Sequence, residues 1–373
     1  MPLDSARIEE LSARVQREID DGLLPSCQIA VGLDGEVVHA EAFGDVTNDT
    51  RYAIFSCTKA LIAAVMWQLI AEGRVRPGDT VASHFPEFAA NNKGAITIEQ
   101  VMTHTSGFPR APLGPPKWSD RQWRIDKMSS WRVNWEPGTR FEYHPTSAHW
   151  VLGEIIERLD GRDYRESVRA RVLEPLGLQR LTLGVEAGQQ RDIADLAIVG
   201  EEPSADELEA AFGLRTFDRG EVTPALLLGF NDSGARAAGI PGGGAISNAA
   251  DVALLYQALV HNPGGLFDAD MLADGTGNIR CTLPDPMTGV AANRTLGLIG
   301  AGTDGKAAFR SMGHNVSPRA FGHAGAAGQI AWADPDTGIS FCFLTNGIEL
   351  NFLREARRTS GIASRAALLT RPM

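Results

Sequence analysis

The chain has 373 residues, a formal net charge of −11 at pH 7 and a hydrophobic fraction of 43%. This length can bury one large core or two, and the composition is typical of a soluble globular protein. The acidic balance argues against nucleic acid and anionic membrane surfaces as partners, and no apolar stretch is long enough for a transmembrane helix.

An amphipathic helix and a β-hairpin are predicted at the start of the chain. Residues 4–22 carry apolar side chains at helical spacing and end at Gly22. Two strand-like runs, 28–33 and 37–43, flank Asp34-Gly35, a favoured dipeptide for a two-residue hairpin turn. These elements predict the first strands of an antiparallel sheet.

A candidate nucleophile lies between a short strand-like piece and a buried helix. The sequence Ser56-Cys57-Thr58-Lys59 runs into an apolar segment, 60–70, that predicts a helix buried on most of its faces. Ser56 and Thr58 are both typical of a helix entrance. Ser56 and Lys59 share one face of a helical turn, where burial and the positive helix end lower the pKa of a lysine and make it a base.

Two other interpretations of this stretch stay open at this point. Ser-x-x-Lys is a short pattern, and Ser56 would then be only a helix cap with Lys59 in solvent. Cys57 is also a potential nucleophile, although no base lies at helical spacing from it.

The cysteines predict a reducing compartment. They are far apart and form no C-x-x-C pair, so we interpret them as small buried residues. No clustered Cys or His ligands are present, and we expect no metal and no other cofactor. Residues 1–5 open an acidic amphipathic helix rather than a basic leader, which predicts a cytoplasmic location. The cysteines are Cys27, Cys57, Cys281 and Cys342.

The middle of the chain predicts a helix-rich region. Thr97 has the capping pattern of a helix that runs to Met102, and residues 148–159 predict a second helix that ends near Gly161. A Pro- and Trp-rich loop, 109–123, is predicted between these two helices.

Two strands and a helix are predicted near the end of the chain. Residues 328–334 and 339–346 are interpreted as strands, and a helix follows from about Leu350. A glycine turn, Gly242–Gly244, precedes another helix. Strands at both ends with helices between them predict an α/β fold, in which both termini build one antiparallel sheet and a mostly helical region is inserted.

We divide the chain into three parts. Residues 1–84 are predicted to form an α/β part with the nucleophile helix, and residues 85–177 a helical part. Residues 178–373 are predicted to return to the α/β part. Within them, the charged and irregular segment 184–239 is a possible lid.

Four short motifs follow one another along the chain. They are Ser56-Cys57-Thr58-Lys59, His104-Thr105-Ser106-Gly107, Phe141-Glu142-Tyr143 and Phe321-Gly322-His323-Ala324-Gly325. In this order they resemble the serine β-lactamase and penicillin-binding-protein superfamily, on the class C side that includes family VIII carboxylesterases. The resemblance implies a β-lactamase-like fold and a serine acyl-enzyme.

The motifs suggest a role for each candidate residue. Ser56 would attack a carbonyl with Lys59 as its base. Tyr143, a phenol that a nearby ammonium makes easier to ionise, would relay a proton to the leaving group. By resemblance, the backbone N–H groups of Ser56 and of Ala326, which follows Gly325, would form the oxyanion hole.

Two positions depart from the lactamase pattern. The asparagine expected two residues after the tyrosine is Pro145, which offers no side-chain hydrogen bond, and the lysine of the last motif is His323, which is at best titratable. Both changes favour a neutral ester over a β-lactam. His323 either lines the pocket or only makes structural hydrogen bonds. His104 is interpreted as a buried turn histidine, and His144 as a solvated one that would at most fill part of the gap.

The leading hypothesis is a carboxylesterase that cleaves small-molecule esters through an acyl-enzyme on Ser56. A β-lactamase, a D-amino-acid peptidase, an amide hydrolase or an acyltransferase of the same superfamily is the second hypothesis, because the pocket and not the fold selects the substrate. A non-catalytic sensor or binding module is the third. The acyl and alcohol preference and the oligomeric state stay open.

Overall fold

A computed structural model gives the fold and describes residues 3–111, 113–216 and 222–370. Short strands alternate with groups of helices over these residues. The strands are β1 Ser26–Leu33, β2 Glu36–Gly44, β3 Tyr52–Ala53, β4 Thr182–Leu183, β5 Ala197–Val199, β6 Ala245–Ser247, β7 Ile299–Gly300, β8 Phe321–Gly322, β9 Ile330–Asp334, β10 Ile339–Thr345 and β11 Gly347–Glu349. The α-helices are α1 Ser5–Asp20, α2 Lys59–Ala71, α3 Val81–His84, α4 Ile98–Met102, α5 Arg121–Ser130, α6 Ser147–Asp160, α7 Tyr164–Val168, α8 Ala205–Phe212, α9 Pro224–Leu228, α10 Ser233–Ala238, α11 Ala249–His261, α12 Ala269–Gly277 and α13 Phe352–Ala366.

The main sheet joins the two ends of the chain. Its strand order is β2-β1-β10-β9-β8-β7, and all neighbouring strands are antiparallel. β1 lies between β2 and β10, with Ile29 opposite Phe343. The predicted antiparallel sheet built from both termini is therefore confirmed. At the hairpin, Asp34 and Gly35 have φ values of 54° and 85°, as the turn between β1 and β2 requires.

The central strands β1, β10 and β9 of the sheet are buried on both faces. Ile29 and Val31 of β1 belong to one core, which α1 and α13 complete. Ala30 points to the opposite core, which contains α2, α6 and α11. Successive side chains of a strand alternate between faces, so one short strand supplies both cores.

Helix α2 is the centre of the larger core. Its residues from Lys59 to Leu69 are all buried, as the apolar sequence predicts, and Trp67 Nε1 donates a hydrogen bond to the carbonyl of Leu296 at 2.8 Å. Of the described helices, none combines the length and hydropathy that crossing a bilayer needs.

Two sequence interpretations need revision. The predicted loop 109–123 ends early, because α5 begins at Arg121 after a side-chain cap by Asp120. The segment 184–239 is not irregular throughout: β5, α8, α9 and α10 lie within it, and its residues 217–221 are outside the described part of the chain. The other predicted helices and strands are present within a few residues of their expected bounds.

We predict that Leu61→Ala lowers the free energy of unfolding by about 2–5 kcal/mol, because Leu61 is fully buried in α2 and its truncation leaves a cavity. The same change at Leu214, which is 56% exposed, is the control and is expected to cost less than about 0.5 kcal/mol. Urea unfolding followed by circular dichroism measures both. Equal losses in the two variants would contradict the central position of α2.

Candidate active site

The nucleophile turn is a short 3₁₀ segment, Phe55–Thr58, that runs directly into α2. Phe55 has φ of 44°, a strained conformation for a residue other than glycine. Ser56 is partly exposed, although both of its neighbours are buried. Thr58 Oγ1 accepts a hydrogen bond from the Ala245 N–H at 3.0 Å, and no side chain caps α2. The interpretation of Ser56 as a helix cap is therefore wrong.

Lys59 is completely buried and has three polar partners. Its Nζ lies 3.0 Å from Ser56 Oγ, 2.8 Å from the carbonyl oxygen of Pro145 and 2.6 Å from that of Gly242. Burial, and then the positive charge of Arg294, hold the pKa of Lys59 well below its usual value. The interpretation with Lys59 in solvent is wrong.

The positions of these partners fix the protons of a neutral Lys59. A carbonyl oxygen only accepts hydrogen bonds, so both N–H bonds of the neutral amine point to Pro145 and Gly242. Its lone pair then faces Ser56 Oγ and accepts the serine proton. The fold thus holds the amine in the orientation of a general base.

Tyr143 completes a chain of hydrogen bonds. Its hydroxyl donates to Ser56 Oγ at 2.8 Å, and Lys59 Nζ lies 5.1 Å from its ring centroid. Burial raises the pKa of Tyr143 to about 12, while Arg294 and the hydrogen bond to Ser56 lower it by less. The net direction is opposite to the one expected from a charged neighbour alone, because burial outweighs the charge. Tyr143 therefore keeps its proton at neutral pH.

Pro145 contributes through its backbone. The sequence showed only that a proline offers no side-chain hydrogen bond here. In the structure, the backbone carbonyl of Pro145 is one of the two that accept hydrogen bonds from Lys59. The other comes from Gly242, whose Cβ, if present, would lie 2.9 Å from the Pro145 oxygen. The glycine turn therefore lets two chain segments meet around one amine.

The last motif lies against the nucleophile turn. A Cβ at Gly325 would come within 2.4 Å of the Ile54 oxygen, and Cys57 Sγ donates to the His323 carbonyl at 3.1 Å. Ala326 follows Gly325 directly and is partly exposed, like Ser56. The structure thus brings the segment from His323 to Gly325 against the turn that carries Ser56.

His323 is buried, and hydrogen bonds at both ring nitrogens set its tautomer. Its Nδ1 lies 2.7 Å from the Ala324 carbonyl oxygen, which only accepts, and its Nε2 lies 3.1 Å from Nη1 of Arg294, which only donates. The ring is therefore neutral with the proton on Nδ1. Burial, followed by Arg294 and Lys59, holds the pKa of His323 well below its usual value.

Arg294 is the residue that sequence reasoning missed. It is 6% exposed and contacts the rings of Tyr143 and Phe141, with its guanidinium carbon 5.2 Å and 5.4 Å from the two centroids. It lies in an irregular segment before β7 and belongs to none of the four motifs, so no local pattern marks it.

Two further histidines lie near Tyr143: His104 packs against the tyrosine ring, and His144 packs against His104. His104 has φ of 60°, lies 4.9 Å from the Tyr143 ring between centroids, and accepts a hydrogen bond from the His144 N–H. This agrees with the interpretation of His104 as a buried turn histidine that bonds the backbone. His144 is completely buried rather than solvated, and its Nε2 accepts from the Phe108 N–H at 3.1 Å. Burial lowers the pKa of His144 to about 3, so the ring acts as a neutral acceptor.

An apolar cavity of about 550 Å³ adjoins this cleft. Thr146 and Ile240 line it, next to the two segments whose carbonyls hold Lys59. Phe230 also lines the cavity, and the centroid of its ring lies 5.2 Å from that of the Phe55 ring. A separate cavity of about 640 Å³ beside α7 is lined by both charged and apolar side chains and contains none of the predicted site residues. The apolar walls near the cleft include Ala111, Leu113, Trp118, Trp150, Leu226 and Phe230.

Comparisons with known proteins agree with the fold. A model of the Beta-lactamase family matches residues 11–363. Esterase/beta-lactamase LipL of Mycobacterium tuberculosis is 28% identical over 349 residues, which are 85% of this chain and 76% of the relative. A putative D-alanyl-D-alanine carboxypeptidase of Escherichia coli K12 is 24% identical, covering 91% of this chain and 82% of the relative.

Two solved structures are similar over nearly the whole chain. A penicillin-binding-protein homologue from Caulobacter crescentus has a TM-score of 0.79 at 26% identity and covers 96% of this chain and 97% of its own. A family VIII carboxylesterase has the same TM-score at 23% identity, covering 98% and 99%. The predicted resemblance and the β-lactamase-like fold are confirmed.

We predict that Cys57 resists alkylation by iodoacetamide at pH 8 in the folded protein. The side chain is buried, and burial raises the pKa of its thiol to about 12, so almost no thiolate is present. Peptide mass spectrometry after native labelling, with urea-unfolded protein as the control, measures this. Rapid native alkylation would instead restore Cys57 as a candidate nucleophile.

Proposed function

The chain belongs to the Beta-lactamase family, and from that premise we propose that it is a carboxylesterase that cleaves small uncharged esters through an acyl-enzyme on Ser56. The observation that carries the proposal is the hydrogen-bonded chain from Tyr143 through Ser56 to Lys59. In this chain, the partly exposed hydroxyl of Ser56 contacts the buried amine of Lys59. The other two hydrogen-bonding positions of that amine are occupied by backbone carbonyls.

Acylation begins with the Ser56 hydroxyl. Oγ attacks the ester carbonyl carbon while its proton passes to the lone pair of Lys59. The carbonyl oxygen gains negative charge, and we assign its stabilisation to the N–H groups of Ser56 and Ala326, with Gly325 allowing the close approach.

The leaving alcohol needs a proton. Tyr143 donates its phenolic proton to the departing oxygen, and the ammonium of Lys59 returns one to the phenolate, so that the pair is neutral again. Water then attacks the acyl-enzyme by the same steps in reverse, which releases the acid and restores Ser56. We assign His323 to the wall of the cleft as a neutral hydrogen-bonding group.

Several features support an ester rather than a β-lactam as substrate. The residue in the asparagine position of lactamases is Pro145, and the residue in the lysine position is a neutral His323. The adjoining cavity is mainly apolar, which suits an uncharged acyl or alcohol group. We also propose that residues 226–235, which lie within the predicted lid 184–239, form one wall of that cavity.

The second proposal is amide or lactam hydrolysis by the same site. It is favoured by the name of the Escherichia coli relative, a putative D-alanyl-D-alanine carboxypeptidase, and by the β-lactamase activity named for the Mycobacterium relative. A panel of p-nitrophenyl esters, a chromogenic cephalosporin and D-amino-acid amides separates the candidates, because they share the nucleophile but differ in the group bound beside it.

We predict that Ser56→Ala abolishes hydrolysis of p-nitrophenyl butyrate, and that Lys59→Met and Tyr143→Phe each lower kcat/KM by about 10²- to 10⁴-fold, because each removes a proton-transfer group. The matched control is Lys93→Met. Lys93 is equally buried, but its Nζ donates hydrogen bonds to the carbonyl oxygens of residues 90, 129 and 131 and to no hydroxyl group.

Lys93→Met is expected to lower the stability but to keep kcat/KM for the protein that remains folded. Steady-state kinetics on protein whose fold is checked by circular dichroism measure these effects. Full ester turnover in folded Lys59→Met would contradict the proposed base.

We also predict that Trp118→Ala raises KM about 10-fold for bulky aryl esters but changes KM for acetyl esters little, because Trp118 lines the apolar cavity. Trp123→Ala, in a neighbouring tryptophan that does not line the cavity, is the control. An equal effect of Trp118→Ala on both ester classes would contradict the assignment of the cavity to the larger substituent.

A further inference from the structure

We propose that Arg294 is a positioning residue that supplies, through Tyr143 and His323, the positive charge that the last motif of this chain lacks, and that this charge favours removal of one proton from the Lys59–Tyr143 pair. The inference rests on the proposed function, because it concerns the activation of Ser56. It goes beyond that function by assigning a role to a residue outside the four motifs.

The first observation is the environment of the guanidinium. Arg294 is buried, and its Nε has no hydrogen-bond partner. No carboxylate of the described ranges forms an ion pair with it, and Asp285 acts on it only at longer range. A guanidinium stays protonated in proteins, so this is a permanent and largely uncompensated positive charge.

The second observation is where this charge lies. The guanidinium carbon is 5.2 Å from the centroid of Tyr143, and Nη1 is 3.1 Å from Nε2 of His323. Because Nε2 of His323 accepts from Arg294, the imidazole cannot bind a second proton there while the contact lasts. The sequence suggested a titratable His323 as the cation. The structure instead has a neutral His323 and a fixed cation beside it.

The positive charge of Arg294 acts in the same direction on Lys59 and on Tyr143. It lowers the pKa of Lys59, second only to burial, and it lowers the pKa of Tyr143 against the larger effect of burial. Since the two groups are coupled through Ser56, one proton is lost from the pair with an apparent pKa that belongs to both. Removal of Arg294 therefore raises that apparent pKa.

Other charged and titratable groups around the pair do not replace Arg294. The histidines near Tyr143 are neutral, because burial lowers their pKa values. Arg310, which shares a small cavity with Arg294, is paired with Asp304. The groups that face Tyr143, Lys59 or Arg294 are Ser56, Cys57, His104, His144, His149, Cys281, Asp285, Arg310 and His323.

The test is the pH dependence of Ser56 phosphonylation. A neutral p-nitrophenyl phosphonate diester reports activation of the serine without depending on ester preference, and the release of p-nitrophenol gives the second-order rate constant. The parent chain is compared with Arg294→Met, Arg294→Gln and a control, Arg280→Met. Arg280 lies in the same region but is paired with Glu99 and Asp274.

We expect the acid limb of the rate profile to move upward by about one to two pH units in Arg294→Met, with recovery to within a few-fold of the parent rate on the alkaline plateau. Arg294→Gln also removes the charge but keeps a side-chain donor at this position, and its limb is expected to move upward by a similar amount. Arg280→Met is expected to follow the parent. A merely structural role would lower the rate at all pH values without moving the limb.

An unmoved limb in folded Arg294→Met or in folded Arg294→Gln would overturn the role of Arg294. If Arg294→Met does not fold, the glutamine variant still decides. A parent chain that is not labelled at any pH would overturn the proposed function itself. A parent that is labelled, with Arg294 variants whose acid limb stays at the parent's pH, overturns only this inference.

Discussion

A single buried amine determines how this cleft is built. Lys59 lies at the N-terminal end of the central helix, out of contact with water, and two backbone carbonyls and one hydroxyl occupy its hydrogen-bonding positions. Burial favours the neutral form of a lysine, and the carbonyls take the protons that this form retains. The remaining lone pair faces Ser56, so the burial that makes this lysine costly to charge also makes it a base.

Lys93 shows that burial alone does not create such a base. It is equally inaccessible and burial also lowers its pKa, in this case to about 8, but all three of its partners are carbonyl oxygens. An amine in that position is held as a donor and links chain segments. Replacing one carbonyl by a hydroxyl, as at Lys59, converts a structural lysine into one that can accept a proton.

The sequence predicted the parts of the fold that depend on local patterns. Asp34-Gly35 marked the hairpin, Thr97 marked a helix start with its capping box, and the apolar run after Lys59 marked the central helix. The motif residues Ser56, Lys59 and Tyr143 were identified in advance, and the structure brings them within hydrogen-bonding distance in series.

What the sequence did not predict depends on long-range contacts. The carbonyl of Pro145 accepts a hydrogen bond from Lys59. Every residue has a backbone carbonyl, so the residue type at this position does not reveal that role. Arg294 lies more than two hundred residues from Ser56 along the chain, and its importance appears only when Tyr143 and His323 are seen to contact it. His144 was misassigned to solvent because its burial is set by Phe108 and Trp135, which come from other segments.

The cleft contains strained backbone conformations and a buried charge, and the rest of the fold must offset their energetic cost. Phe55, His104 and Ala327, which all have positive φ, lie next to the serine, the tyrosine and the segment of Ala326, at a cost of about 1–3 kcal/mol each. Arg294 adds the desolvation of an unpaired charge. Such costs persist only where a large core holds the backbone in place, and the core around α2 does so here. The same argument explains why the charge is an arginine: a lysine or histidine buried to this degree would lose its proton, whereas a guanidinium keeps its charge.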